Sequence, residues 1–214
     1  MTRFVILGAG KFGLNAALKL SESHKNHVTV VDIDPVQCKK VNGPKIEVVC
    51  REGIHYLAGC MRKRNPPDWI VPVVPLHVAF EWLKTTLAGR FTLKLLPVPE
   101  QIVRELPNPV VGEEGQLFIS YADFVCPEGC PEPAVTCSFT GKARKGILHS
   151  TLEQITFKNY LSVVIHSKQM APGIGGYRPQ ALNIARSQVL SSDSPILLST
   201  ACKCHGVMHA FQLT

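Results

Sequence analysis

The segment RFVILGAGKFGLNAALKL, residues 3–20, limits the fold more than any other stretch of the chain. An apolar, β-branched run passes through three glycines into apolar residues at helical spacing, which predicts strand, tight turn and helix. The pattern then recurs. HVTVVDID is a buried strand, and DPVQCKKV a helix start in which Asp34 caps and Pro35 takes the first helical position. KIEVVC is a strand followed by a helix from Ile54 to Arg62, and DWIVPVVP a strand followed by the helix LHVAFEWLKTTL. Strands that alternate with helices pair in parallel, and the crossover helices cover both faces of the sheet.

From Gly89 to Ser150 the rhythm breaks, with frequent Pro and Gly and one clear strand, GQLFISYADFV. It resumes with the strand YLSVVIHS, the helix PQALNIARSQVL, the strand SPILLSTAC and a short helical tail. The expected fold is α/β: a Rossmann-like doubly wound parallel sheet with a Pro/Cys-rich insertion. Residues 1–88 form its first half, 89–150 the insertion, and 151–214 the strands and helices that complete the sheet. At 214 residues and 45% hydrophobic content the chain is long enough to bury a core.

Gly8, Gly10 and Gly13 form G-x-G-x-x-G. In such a loop the first glycine permits the turn, the second lets a pyrophosphate approach the backbone, and the third brings helix and strand close. The helix N-terminus offers free N–H groups to the anion. Asp32 closes the second strand about 20 residues on, where a carboxylate accepts hydrogen bonds from ribose hydroxyls. That acid would repel a 2′-phosphate, and no arginine follows it immediately, so NAD(H) is favoured over NADP(H). Lys11 and Phe12 within the loop and Ile33 beside Asp32 complete the expected cofactor contacts. The stretch FVILGAGKFGLNAALKLSESHKNHVTVVDID resembles the TrkA N-terminal, or KTN-type, regulatory domain of bacterial potassium transport systems. That likeness covers about the first 85 residues. It implies nucleotide contacts at Gly8, Gly10, Gly13 and Asp32, and a role in sensing the nucleotide for a transporter.

The eight cysteines pose a separate question. A start with no secretion signal, and no apolar run near the roughly 20 residues of a membrane span, place the chain in the cytosol, where standing disulfides are rare. Cys126, Cys130 and Cys137 form C-x3-C-x6-C, and Cys202, Cys204 and His205 form C-x-C-H; neither is a standard zinc-ribbon or ferredoxin spacing. If the insertion folds over the carboxyl edge of the sheet, these groups meet as ligands for an iron–sulfur cluster or zinc. The alternatives are a proline-fixed loop with incidental thiols, and a thiol pair that forms a transient disulfide. Cys38, Cys50 and Cys60 read as small apolar residues.

His77 follows strand four, where a nicotinamide would lie; it is either a general acid or base, or a helix-start residue. SKQMAPGIGGYRP, Ser167 to Pro179, is a second glycine loop in which Lys168 and Arg178 could wrap an anion. The net charge is +7, but the clusters MRKR and KARK are short and lack interleaved aromatics, so a solvated surface is expected and not a nucleic-acid site. The partners expected are a dinucleotide, a membrane transporter or redox protein, and a second copy of the chain, with no direct membrane insertion. Three function classes remain: a NAD(H)-sensing regulator, a NAD(H)-dependent oxidoreductase with a cysteine-ligated centre beside the nicotinamide, and a nucleotide-binding module with a structural zinc.

Overall fold

The computed structural model describes residues 1–214 and contains two large sheets and a two-stranded hairpin. The first is built as expected. Strands β1 (Thr2–Leu7), β2 (Asn26–Asp32), β3 (Ile46–Cys50) and β4 (Trp69–Pro72) are parallel in the order β3-β2-β1-β4. Helices α1 (Lys11–Ser21), α2 (Pro35–Lys40) and α3 (Gly53–Met61) form their crossovers, and α4 (Val78–Leu87) follows β4. Strand parity divides the apolar residues between two faces. Phe4, Ile6, Val28 and Val30 pack with Ala16, Ala17 and Leu20 of α1, while Val5, Leu7 and Val31 pack with Leu57 of α3 and Leu83 of α4. Each buried Leu, Ile or Val side chain stabilises the fold by about 1.5–3 kcal/mol. Leu7 lies opposite both Val31 and Pro72, so the carboxyl ends of β1, β2 and β4 line up at the glycine loop.

The C-terminal strands do not complete this sheet, which corrects the expected domain division. They form a second, mixed sheet with strands from the supposed insertion. Its members are β5 (Leu93–Leu96), β6 (Val110–Val111), β7 (Leu117–Ser120), β8 (Leu161–His166), β11 (Ile196–Ala201) and β12 (His205–Leu213). The order is β6-β7-β12-β11-β8, with β5 paired to the second half of β12. The short hairpin of β9 (Lys168–Ala171) and β10 (Ile174–Gly176) stands apart.

That hairpin explains the division. Ile70 of β4 exchanges two backbone hydrogen bonds of 2.9 Å with Tyr177, just past β10, in an antiparallel bridge. Gly176 permits the approach, since a Cβ there would lie 2.7 Å from the Ile70 carbonyl oxygen. With the β4 edge covered, β8 and β11 pair with each other, joined through α7 (Pro179–Leu190). The expected helical tail is instead β12, which returns antiparallel to β11 after a tight turn closed by the Cys202 N–H donating to the His205 carbonyl at 2.9 Å. Alternation carries it: Phe211 faces one core, Met208 and Ala210 the other.

Helices α3, α4 and α7 lie between the sheets, and Val5 and Leu7 of the first share one cluster with Val163, Ile165, Ile196, Leu198 and Phe211 of the second. Helices α5 (Glu100–Glu105) and α6 (Leu148–Glu153) cover the other face of the second sheet through Ile102, Leu148 and Leu152. No helix is long and apolar enough to cross a membrane.

A polar joint sits inside the shared core. His77, at the start of α4, is 3% exposed; its Nδ1 lies 2.9 Å from His209 Nδ1 and its Nε2 3.0 Å from Thr200 Oγ1. Phe80 stacks on His209 with centroids 4.1 Å apart and planes 6° from parallel. Burial, and then His209, hold His77 well below the ordinary imidazole value. Burial, and then Lys84, bring His209 down to about 4. Of its two expected readings His77 takes the helix-start position, and both ring nitrogens are engaged inside the core. The unfolded chain takes up protons on these imidazoles below pH about 6.5, whereas the folded chain resists until His209 titrates near 4, so stability falls as pH falls through this window. The urea midpoint is expected to drop between pH 7 and 5, and to drop less in His209→Gln, which does not titrate but can still hydrogen-bond to His77; an equal drop in both proteins would remove the joint from the account.

Candidate functional site

The glycine loop is shaped by close contacts. Gly8 has φ +109°, and a Cβ on it would lie 2.8 Å from the Val73 carbonyl oxygen; one on Gly13 would lie 1.9 Å from the carbonyl oxygen of Gly8. Gly10 differs, for a Cβ there would meet nothing within 4 Å. Two glycines are thus required by packing, and the third leaves its backbone open to an incoming group. Helix α1 starts behind Gly10 with no side-chain cap and no acid in its first turn, so its positive end is uncompensated.

Asp32 is held at the same edge. Its Oδ2 accepts the Ala9 N–H at 2.6 Å and its Oδ1 the Asp34 N–H at 2.8 Å, and each oxygen keeps a further lone pair for a hydroxyl. Asp34 caps α2 by accepting the Val36 N–H. Ile33 is exposed, and with Gly8, Asp32, Glu52 and Gly53 it borders a cleft of about 130 Å³. Where the potassium-transport regulators carry Gly-Asp-Ala after the third strand, this chain has Cys50 to Gly53, and Glu52 caps α3 by accepting the N–H groups of Ile54 and His55.

Val74 borders both that cleft and a second hollow, which is lined by Phe12, Asn15, Pro75 and Ile174. Phe12, Gly173 and Ile174 are shared in turn with a cavity of about 470 Å³. This cavity is lined by Cys126, Cys130, Cys137, Cys202, Cys204 and His205, so the sequence segments that carry these groups meet around one volume. None of the thiols is in a disulfide.

Three sets of contacts fix the cysteine loop. The Cys130 carbonyl accepts the Gly173 N–H at 3.0 Å and the Gln169 side-chain amide at 2.8 Å. Gly173 has φ +77°, and a Cβ on it would lie 1.7 Å from the Glu128 carbonyl oxygen, so only glycine lets the loop cross the hairpin. Lys11 of the glycine loop pairs with Glu128 at 2.5 Å. Glu132 Oε1 accepts the Lys203 N–H at 2.7 Å, tying the loop to the β11–β12 turn.

The sulfurs differ in surroundings. Cys126 Sγ lies 3.5 Å from His205 Nε2; its thiol is pushed up by burial and then by Cys130, Cys204 and Cys137, with Arg144 opposing. Cys137 is held below the usual thiol value by the Thr140 hydroxyl and then by the backbone N–H groups of Thr140 and Phe139. Cys202 is turned toward Glu132 and pushed up to about 12 by burial and then by that residue, though its sulfur accepts the N–H groups of Cys204 and His205 at 3.4 Å. Burial raises Cys204, against the Arg144 guanidinium that donates to its sulfur. Burial also holds the His205 imidazole below its ordinary value.

Lys142, Arg144 and Lys145 border the cavity, where the two lysines stay exposed as expected and Arg144 is half-buried against the Cys204 sulfur. Sequence reasoning missed the Arg144 contact because charge runs are usually solvated; the signal was the run's position five residues after Cys137. In the second glycine segment, predicted as a loop, the β9–β10 hairpin forms, and Arg178 lies over the Trp69 ring at 4.3 Å. His149, Glu153 and His166 bring donor atoms within 4.8 Å of one another. The two imidazoles are stacked 4.0 Å apart and 27° from parallel, so their in-plane lone pairs do not converge, and Glu153 already contacts His166 Nε2 at 2.6 Å. That group is a hydrogen-bonded contact between α6 and β8.

A family model described as "Uncharacterized protein, C-terminal domain" matches residues 79–214, from α4 through the second sheet. The chain belongs to that family. The family's C-terminal domain thus contains the whole cysteine loop, the hairpin and the β11–β12 turn. Residues 4–56 match the TrkA-N domain, in accord with the resemblance of the glycine loop and the Rossmann-type order of the first sheet. A curated relative from Archaeoglobus fulgidus, described as "Uncharacterized protein", is 31% identical, with 97% of this chain and 98% of the relative in the match.

The two kinds of glycine separate in experiment. Gly13→Ala is expected to destabilise the chain by about 1–3 kcal/mol through overpacking, whereas Gly10→Ala should leave the denaturation midpoint nearly unchanged. Equal midpoints for the two variants would contradict the close approach of α1 to β1.

Proposed function

We propose that the chain binds NAD(H) at the carboxyl edge of the first sheet and serves as a nucleotide-sensing regulatory module. The observation that carries this reading is the pairing of an open Gly10 at an uncapped helix start with Asp32 held by two backbone amides, on a chain that matches the TrkA-N domain. The adenine-side ribose would lie against Asp32 and Ile33, the pyrophosphate over Gly10, Lys11 and Phe12, and the distal end toward Val74 and the thiol cavity. Bound nicotinamide would supply a two-electron redox couple. The chain's own residues orient it, and Asp32 disfavours a 2′-phosphate by charge. As a regulator, the module would pass the redox state of the nucleotide to a partner protein, and the resemblance supports a potassium transporter as that partner.

The lining that the second hollow shares with the cavity, Phe12, Gly173 and Ile174, favours a second reading, an oxidoreductase in which the distal end meets a centre built from the cysteines. The two readings divide on turnover: a sensor binds NADH without consuming it, whereas the oxidoreductase oxidises it when an electron acceptor such as ferricyanide is supplied.

Calorimetric titration tests the binding itself. NADH is expected to bind more tightly than NADPH, and Asp32→Ala to weaken NADH by about 1–3 kcal/mol, the worth of a hydrogen bond to a charged group. Unchanged affinity in Asp32→Ala would end the ribose assignment, and no heat with either nucleotide would end the proposal.

A further inference from the structure

We propose that the thiol-lined cavity holds an iron–sulfur cluster ligated by Cys126, Cys130, Cys137 and Cys204. The argument begins with size. A single tetrahedral zinc ion, with Zn–S bonds of about 2.3 Å, draws its sulfurs to about 3.8 Å from one another. The only three histidine, cysteine or acidic groups with donor atoms all within 4.8 Å of one another are His149, Glu153 and His166, outside the cavity. The cysteines instead stand around an open volume of about 470 Å³, fitting a polynuclear group better than a lone ion. Four thiolates suffice to bind such a cluster.

The choice among the five thiols follows from what each one faces. Cys126, Cys130, Cys137 and Cys204 all border the same cavity, which makes these four one geometric group. The Cys202 sulfur receives the backbone N–H groups of Cys204 and His205, so it shapes the turn that presents Cys204. His205 stands with Nε2 3.5 Å from the Cys126 sulfur, placed to donate a hydrogen bond to a ligating thiolate. Four thiolates also concentrate negative charge, which is costly away from water unless paired. Arg144 donates to Cys204, and Lys142 and Lys145 line the same wall. The hairpin holds the loop from beneath, with Gly173 under Glu128 and two donors on the Cys130 carbonyl.

The test uses the full chain purified without oxygen. Iron and acid-labile sulfide are expected in equal amounts, with a broad visible absorption that dithionite bleaches. Cys130→Ser and Cys204→Ser should each lose at least five-fold of the iron and absorption while keeping the far-ultraviolet circular dichroism of the parent; Cys50→Ser, outside the cavity, should retain both. Where a variant loses its fold, reconstitution of metal-stripped parent protein with iron and sulfide gives the second readout. Zinc without sulfide, or a parent that takes up no iron even on reconstitution, overturns the proposal; a full cluster in Cys204→Ser overturns the ligand set. Asp32→Ala should keep the cluster, so a failure of nucleotide binding is read separately from a failure of this site.

Discussion

The antiparallel bridge between Ile70 and Tyr177 is the constraint on which the remaining architecture depends. It covers the β4 edge, where a parallel sheet would otherwise add its next strand. The later strands then pair among themselves, and the helices between the sheets serve both cores at once. The bridge also sets the β9–β10 hairpin beside the glycine loop, with Ile174 packed into the cluster beneath α1. From there the hairpin reaches the cysteine loop through Gly173 and Gln169. One pair of backbone hydrogen bonds thus connects the sheet division to the meeting of the nucleotide cleft with the thiol cavity.

Electrostatics run along the same path. Asp32 brings a carboxylate to one end, the uncapped helix start a positive field to the middle, and Lys142, Arg144 and Lys145 positive charge to the thiol end. Lys11 and Glu128 pair across the seam between the TrkA-N part and the C-terminal domain, and both are largely solvated, so the pair contributes little stability and can be exchanged for an anionic ligand at small cost. The buried His77–His209 contact lies away from this path. It joins α4 to β12 and couples the packing of the sheets to pH.

Much of the first sheet was legible in the residues. Strand alternation, the three glycines and Asp32 act over short sequence separations, and local sterics dictate their structure whatever follows. The second sheet was not legible, because the rhythm of YLSVVIHS, PQALNIARSQVL and SPILLSTAC suits a parallel unit in either sheet, and only the occupied edge of β4 decides between them. The tail was misread as helix because a short segment such as GVMHAFQL has little periodicity of its own and takes strand form from pairing with β11. His77 starts α4, one of its two expected readings, but its burial was not legible, because only the tertiary structure closes β11 and β12 over it.

By itself the sequence determined a nucleotide-type turn, the acid that accompanies it, and a chain rich in thiols with unfamiliar spacing. Those features depend on neighbours in the chain, where sterics, capping and strand parity leave few choices. Tertiary structure alone decided that the later strands form a second large sheet, that Gly173 and Gly176 serve backbone crossings, and that Arg144 of KARK reaches the Cys204 sulfur. Contacts between segments tens of residues apart are set by which edges and faces remain free once the first elements have packed, and no local pattern encodes that.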